Sequence, residues 1–318
     1  MKKLKLLGFI LIAAIILGCS GNMPVPVKGV YPLKNKTLTI FDLYSQEYQI
    51  NYNIAEVVEA KPEKITIGFD LQGLNDYRFG SFRLGNNDQR TWFVMGKDDQ
   101  GYWSEFYIDQ NNDFKIKENE KIKSFQSGQD RVKGLDRSQS LTLIPVRTKV
   151  SYKGLTGEIQ KNLYLFIITT VLSKNNASDL LVEAITASFL DGEIQVTSGE
   201  VKKRINFRLI DANGNGCFND YGTDLIFFDL DADDYYHHNE GHKLVEFFNF
   251  QTPTGEEKQF RIIVPPYPAK MAIIEADQEY DLVELEAKPD SDEEDEEEDS
   301  VTENKAMEEK ELEQADSK

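Results

Sequence analysis

A chain of 318 residues, 40% hydrophobic and 11% aromatic, can bury one large core or two of ordinary size. Its formal net charge of -19 argues against nucleic acid as a partner, because phosphate binding needs basic surface. With only two cysteines there is no disulfide framework.

The chain begins "MKKLKLLGFILIAAIILGCS", with Lys2, Lys3 and Lys5 ahead of an apolar run from Leu6 to Leu17. That run is short for a membrane span and has the length of a signal-peptide core. The stretch Ile16-Leu17-Gly18-Cys19 resembles the bacterial lipobox. The resemblance implies removal of residues 1–18 as a signal peptide, lipid attachment to Cys19, and a membrane partner reached through that anchor without a spanning helix. With Ser20 after the cysteine, it implies the outer membrane in a Gram-negative cell and the outer face of the plasma membrane in a Gram-positive one. Residues 19–32, which include "SGNMPVPVKGVYP", read as a tether.

From there to about residue 286 the pattern is short and β-like. Runs such as "TLTIFDL", "KITIGFDL", "TWFVMG" and "EFYID" are rich in β-branched and aromatic residues, with turn residues between them. "NLYLFIITTVL" (162–172) reads as a buried strand, and "SDLLVEAITASFLDG" (178–192) fits a helix or a strand. The expectation is a mainly β fold, an antiparallel sandwich or barrel-like arrangement, divided into modules at 33–150 and 151–286. "DSDEEDEEEDS" (290–300) can bury nothing, so 287–318 reads as a disordered acidic tail.

Three loops carry alternating oxygen-bearing side chains. A calcium loop of the EF-hand type takes side-chain oxygens at positions one, three and five, a carbonyl at seven and a bidentate Glu at twelve. From Asp229 the chain supplies Asp229, Asp231, Asp233, the carbonyl of Tyr235, and Glu240. Tyr236 fills the apolar eighth place, and Asp234 stands where the sharp turn prefers Gly. From Asp109 it supplies Asp109, Asn111, Asp113, the carbonyl of Lys115, and Glu120, with Phe114 at the sixth place. These two loops and the runs before them match position by position (109 against 229, 120 against 240), as two related β modules would. From Asp211 it supplies Asp211, Asn213, Asn215 and the carbonyl of Cys217, with Gly216 sixth and Gly222 twelfth, so the closing carboxylate must be Asp220 or Asp224. The order in this loop resembles the calcium loops of dockerins and thrombospondin type-3 repeats. The resemblance implies Ca2+ as the cofactor, held weakly, and implies no activity.

Other chemistry is sparse. His237, His238 and His242 could hold a transition metal, although the acidic loop already accounts for the region. Cys217 lies among acids, which makes it a poor nucleophile. Trp92, Trp103 and Tyr102 could stack on sugar rings or pack in the core. The reading is an exported, lipid-anchored, non-catalytic lipoprotein with calcium-stabilised loops, acting as a structural, adhesive or binding module towards a protein or glycan. The alternative is an exported hydrolase or carbohydrate-binding protein with structural calcium.

Overall fold

The computed structural model describes residues 25–39 and 51–286, apart from 75, 100–102, 123–124, 133–134, 143, 156, 172–179, 199–200 and 252–256. Cys19, Tyr102 and the acidic tail lie outside the described residues. The fold is mainly β, as expected, and its sheets are antiparallel, one of them curled into a half-barrel. The one parallel pairing among the described strands joins Thr66–Ile67 to Lys115–Ile116.

The nine-stranded sheet runs Gly241–Lys243, Leu225–Phe228, Val201–Ile210, Ser188–Ser198, Gly29–Thr37, Lys270–Glu275, Glu257–Ile263, Phe247–Gln251, and Val25–Pro26 adds to Ser188–Ser198. A six-stranded sheet is built on Glu158–Val171, which pairs with Leu135–Thr142, Val146–Lys153 and Leu180–Thr186. A four-stranded sheet runs Glu56–Val58, Tyr77–Arg83, Arg90–Lys97, Trp103–Ile108.

Four expectations can be set beside this topology. The buried strand expected at 162–172 is the heart of Glu158–Val171, where Leu163, Leu165, Phe166 and Ile167 are fully enclosed. The segment at 178–192 contains no helix among its described residues, 180–192. It forms Leu180–Thr186 and the start of Ser188–Ser198, and Val182, Ala184, Ile185 and Thr186 are all buried. A strand covered on both faces shows a continuous apolar run rather than alternation, which is why periodicity alone did not decide it.

The tether reading stops short of residue 32. Val25–Pro26 and Gly29–Thr37 are sheet strands, and Gly29–Thr37 sits centrally, between Ser188–Ser198 and Lys270–Glu275. The boundary expected between 150 and 151 falls inside the strand Val146–Lys153. One hydrophobic core crosses it, joining Phe82, Phe93 and Phe106 to Tyr152, Leu163, Phe207 and Phe218. Rings stack within it, Phe93 against Phe106 with centroids 4.8 Å apart. Burial of that many large side chains, at about 25 cal/mol per Å² of apolar area, dominates the stability.

Candidate functional site

Each of the three loops leaves the end of a buried strand and turns back beside it. In the third loop, 229–240, Asp229 is 1% exposed and lies at the end of Leu225–Phe228. Its Oδ1 accepts from the Asp233 N–H at 3.1 Å and its Oδ2 from the Asp234 N–H at 3.3 Å. Glu240 closes the loop, accepting from the Leu230 N–H at 2.8 Å and the His237 N–H at 3.0 Å. Tyr236 is buried, packed with Phe227 and under the Arg208 guanidinium.

The first loop, 109–120, repeats this geometry. Asp109 accepts from the Asp113 and Phe114 N–H groups at 3.0 and 2.8 Å. Glu120 accepts from the Gln110 and Lys117 N–H groups at 3.0 and 2.9 Å. Ile116 is fully buried where the third loop has Tyr236. The return strands also correspond, with Tyr107 bridged to Lys121 as Phe227 is to Gly241.

The second loop, 211–224, follows the same plan with a shifted closure. Asp211 accepts from the Asn215 and Gly216 N–H groups at 3.2 and 2.6 Å, and from the Thr186 hydroxyl at 2.6 Å. Of the two candidates for closure, Asp224 takes the role. It accepts from the Ala212 and Asp220 N–H groups at 3.1 and 2.8 Å. Asp220 instead accepts from the amides of Asn213 and Asn215 at 2.8 and 2.5 Å.

In all three loops the fourth and sixth residues have left-handed backbones: Asn112 and Phe114, Gly214 and Gly216, Ala232 and Asp234. Only the sixth place was anticipated from the sequence. At Gly216, with φ +83, a Cβ would also stand 2.9 Å from Leu163 Cδ2. Phe114 adopts φ 62 although a bulky side chain disfavours that region.

Electrostatics separates the loops. Burial, opposed by its hydrogen bonds, raises the Asp211 carboxyl to about 6. Burial and then the Asp211 charge raise Asp224 to about 8. Among the described residues, no Lys, Arg or His forms an ion pair with Asp211, Asp220 or Asp224. Burial also pushes the Cys217 thiol up, reinforced by Asp211, Asp220 and Asp224, so it is a poor nucleophile.

In the third loop, the ligand oxygens of Asp229, Asp231 and Glu240 lie within 4.8 Å of one another. Oxygens 2.3–2.6 Å from one calcium ion can lie no further than about 5 Å apart, so the donor set fits a hard cation. In the first loop, Lys117 Nζ already stands 2.6 Å from Asp113 Oδ2, and the Asn111 amide donates to the same oxygen at 3.1 Å. There the chain's own ammonium supplies the positive charge. His237 holds the matching place in the third loop, with Nε2 3.1 Å from Asp233 Oδ2, and that hydrogen bond raises its pKa.

Of the three histidines, His237 joins a candidate ligand group, with Asp231 and Asp233. His242 packs against the Phe228 ring, and burial lowers its pKa. Trp103 is 5% exposed, in the core, with Lys97 Nζ 4.9 Å from its ring centroid. Trp92 packs against the cluster of Ile65, Phe79, Val94, Tyr107 and Ile116 and also lines an open cleft. Compared with family models, with curated proteins and with solved structures, the chain matches none of them.

Proposed function

We propose that this chain is an exported bacterial lipoprotein, anchored in the cell envelope through lipid on Cys19, that acts as a non-catalytic binding module whose turns are held by calcium. The observation that carries the calcium reading is the third loop: the ligand oxygens of Asp229, Asp231 and Glu240 lie within 4.8 Å of one another, and Asp229 and Glu240 are buried. Like charges brought together out of water repel strongly, and a bound cation removes that cost.

Asp211, Asn213, Asn215, the Cys217 carbonyl, Asp220 and Asp224 would hold one ion. Asp229, Asp231, Asp233, the Tyr235 carbonyl and Glu240 would hold another. Asp109, Asn111, Asp113, the Lys115 carbonyl and Glu120 form the weakest site, because Lys117 competes with the metal there. When bound, the ion supplies charge and fixed geometry rather than reaction chemistry. The chain's own part is to present oxygens from the ends of packed strands.

Calorimetric titration of the metal-stripped mature chain tests this. The expected dissociation constants are about 0.1–1 mM, the range of extracellular modules. Ten-fold excess calcium should then add about 1.4 kcal/mol per site. Absence of any calcium heat, together with an unchanged melting curve, refutes the metal reading. The anchor is tested separately. A palmitate analogue should label the wild type and not Cys19→Ser.

A further inference from the structure

The first and third loops start from equivalent places: the Asp109 N–H donates to the Trp92 carbonyl at 2.9 Å, and the Asp229 N–H to the Asn206 carbonyl at 3.0 Å. The residues matching Trp92 and Phe114 are therefore Asn206 and Asp234. Those two satisfy each other, the Asn206 amide donating to Asp234 Oδ1 at 3.2 Å. At the first loop the polar pair is replaced by two aromatic residues, and Phe114 adopts the same left-handed backbone that Asp234 tolerates more easily. It is nonetheless 37% exposed, so core packing does not account for it. A strained, exposed ring that a neighbouring repeat does without points to a ligand contact.

Both rings line a cleft of about 620 Å³ with Glu56, Glu63, Asp88 and Arg90. The register across the four-stranded sheet pairs Glu56 with Ser81 and Ser81 with Trp92, so a polar row leads to the indole. Arg90 pairs with Glu56 and donates to Ser81 Oγ at 3.0 Å, which fixes both planar groups at the mouth. The volume suits a small ligand. Flat aromatic faces fit the C–H faces of a sugar ring, and carboxylate and guanidinium edges fit its hydroxyls. Three acids outnumber Arg90 and Lys64 in the lining, which disfavours an anionic sugar.

We propose that the cleft between Trp92 and Phe114 binds a neutral saccharide. This rests on the binding-module reading and names its ligand class. The full chain, held in a detergent without sugar groups, is titrated with cellohexaose, xylohexaose, mannohexaose, chitohexaose and an anionic oligogalacturonate, in calcium and in EDTA. Indole fluorescence and melting temperature are read together.

At least one neutral oligosaccharide should give a saturable response, and oligogalacturonate none. Trp92→Ala and Phe114→Asn should each weaken binding about ten-fold or more, the size of one aromatic contact. Phe114→Asn relieves the strained backbone, so its melting temperature should not fall. Binding unchanged in both variants, preference for the anionic probe, or no response to any neutral probe overturns the proposal. A saccharide response that persists where the calcium response is absent would sink only the metal reading. The reverse would sink only the cleft.

Discussion

The second and third loops are built on one backbone plan yet stand in different dielectric surroundings. In the second, Asp211 and Asp224 are 0% and 1% exposed, and its neighbours are core aromatics. In the third, Asp229 and Glu240 are buried but Asp231 and Asp233 face water. The same hydrogen-bonding plan therefore makes a staple inside the core in one case and a clasp at its rim in the other. Burial, rather than motif quality, decides how much each loop contributes to the fold. By sequence the third loop is the closer match to a calcium site, having Glu at position twelve.

The comparison breaks most plainly under Asp211→Ala. That change strands the Gly216 N–H and the Thr186 hydroxyl and leaves the Asn215 N–H only its bond to Asn213 Oδ1. At about 1–3 kcal/mol for each of these two orphans, the loss should be about 3–4 kcal/mol. Chemical denaturation should show the midpoint falling without a large change in slope. A loss no greater than that of a surface substitution would mean the second loop is not a staple.

A pH series tests the buried pair of the second loop next. Asp211 and Asp224 titrate in the folded state near 6 and 8, above the value of about 3.9 for an unfolded Asp. Their contribution is complete below the unfolded value and is lost as pH rises through the folded values. The metal-free chain should therefore lose stability between about pH 4 and 8. Millimolar calcium should flatten that decline, since the ion binds the ionised carboxylates. Asp233, at the rim, has the opposite sign. The Tyr235 N–H and His237 lower its pKa, so its share disappears only in acid. A metal-free melting temperature that climbs across this range would contradict the buried pair.

Asp229→Ala should cost less, about 2 kcal/mol in EDTA, because the two N–H groups it strands belong to the exposed residues Asp233 and Asp234, where water can replace the carboxylate. It should also remove most of the third loop's calcium response and leave that of the second intact. Calorimetry on the variant separates the two. Loss of both responses would mean that the loops share one site.

The strands were legible because β-branched and aromatic runs break at turn residues, and the loop acids were legible because alternate positions converge when a loop winds. What stayed hidden depended on pairing at long range. Pro26 and Pro32 gave 19–32 the look of a linker, and only the partners 196 and 270 make strands of them. Asp220 and Asp224 could not be separated by spacing, because Gly222 removes the ordinary closing side chain and two further residues must bend back. In the sequence Phe114 is only the residue at the sixth place of the first loop. Its place beside Trp92 depends on the fold of the sheet, which no local pattern reports.

The second loop touches parts of the chain that synthesis delivers at very different times. Asn215 and Gly216 offer their carbonyls to the Gly85 N–H and the Tyr152 hydroxyl, each at 2.7 Å, and Gly214 offers its own to the Asn53 amide at 2.9 Å. Partners from residues 53, 85 and 152 must be gathered before this knot can close, and closing such long loops is slow. The knot should thus be among the last parts to form and, once formed, open only with the whole molecule. In hydrogen exchange, the Gly216 amide should exchange at the global unfolding rate, well after that of Asp234. A nascent chain that has not yet supplied residues 211–224 should stay loose, with the segments around 53, 85 and 152 not yet tied together.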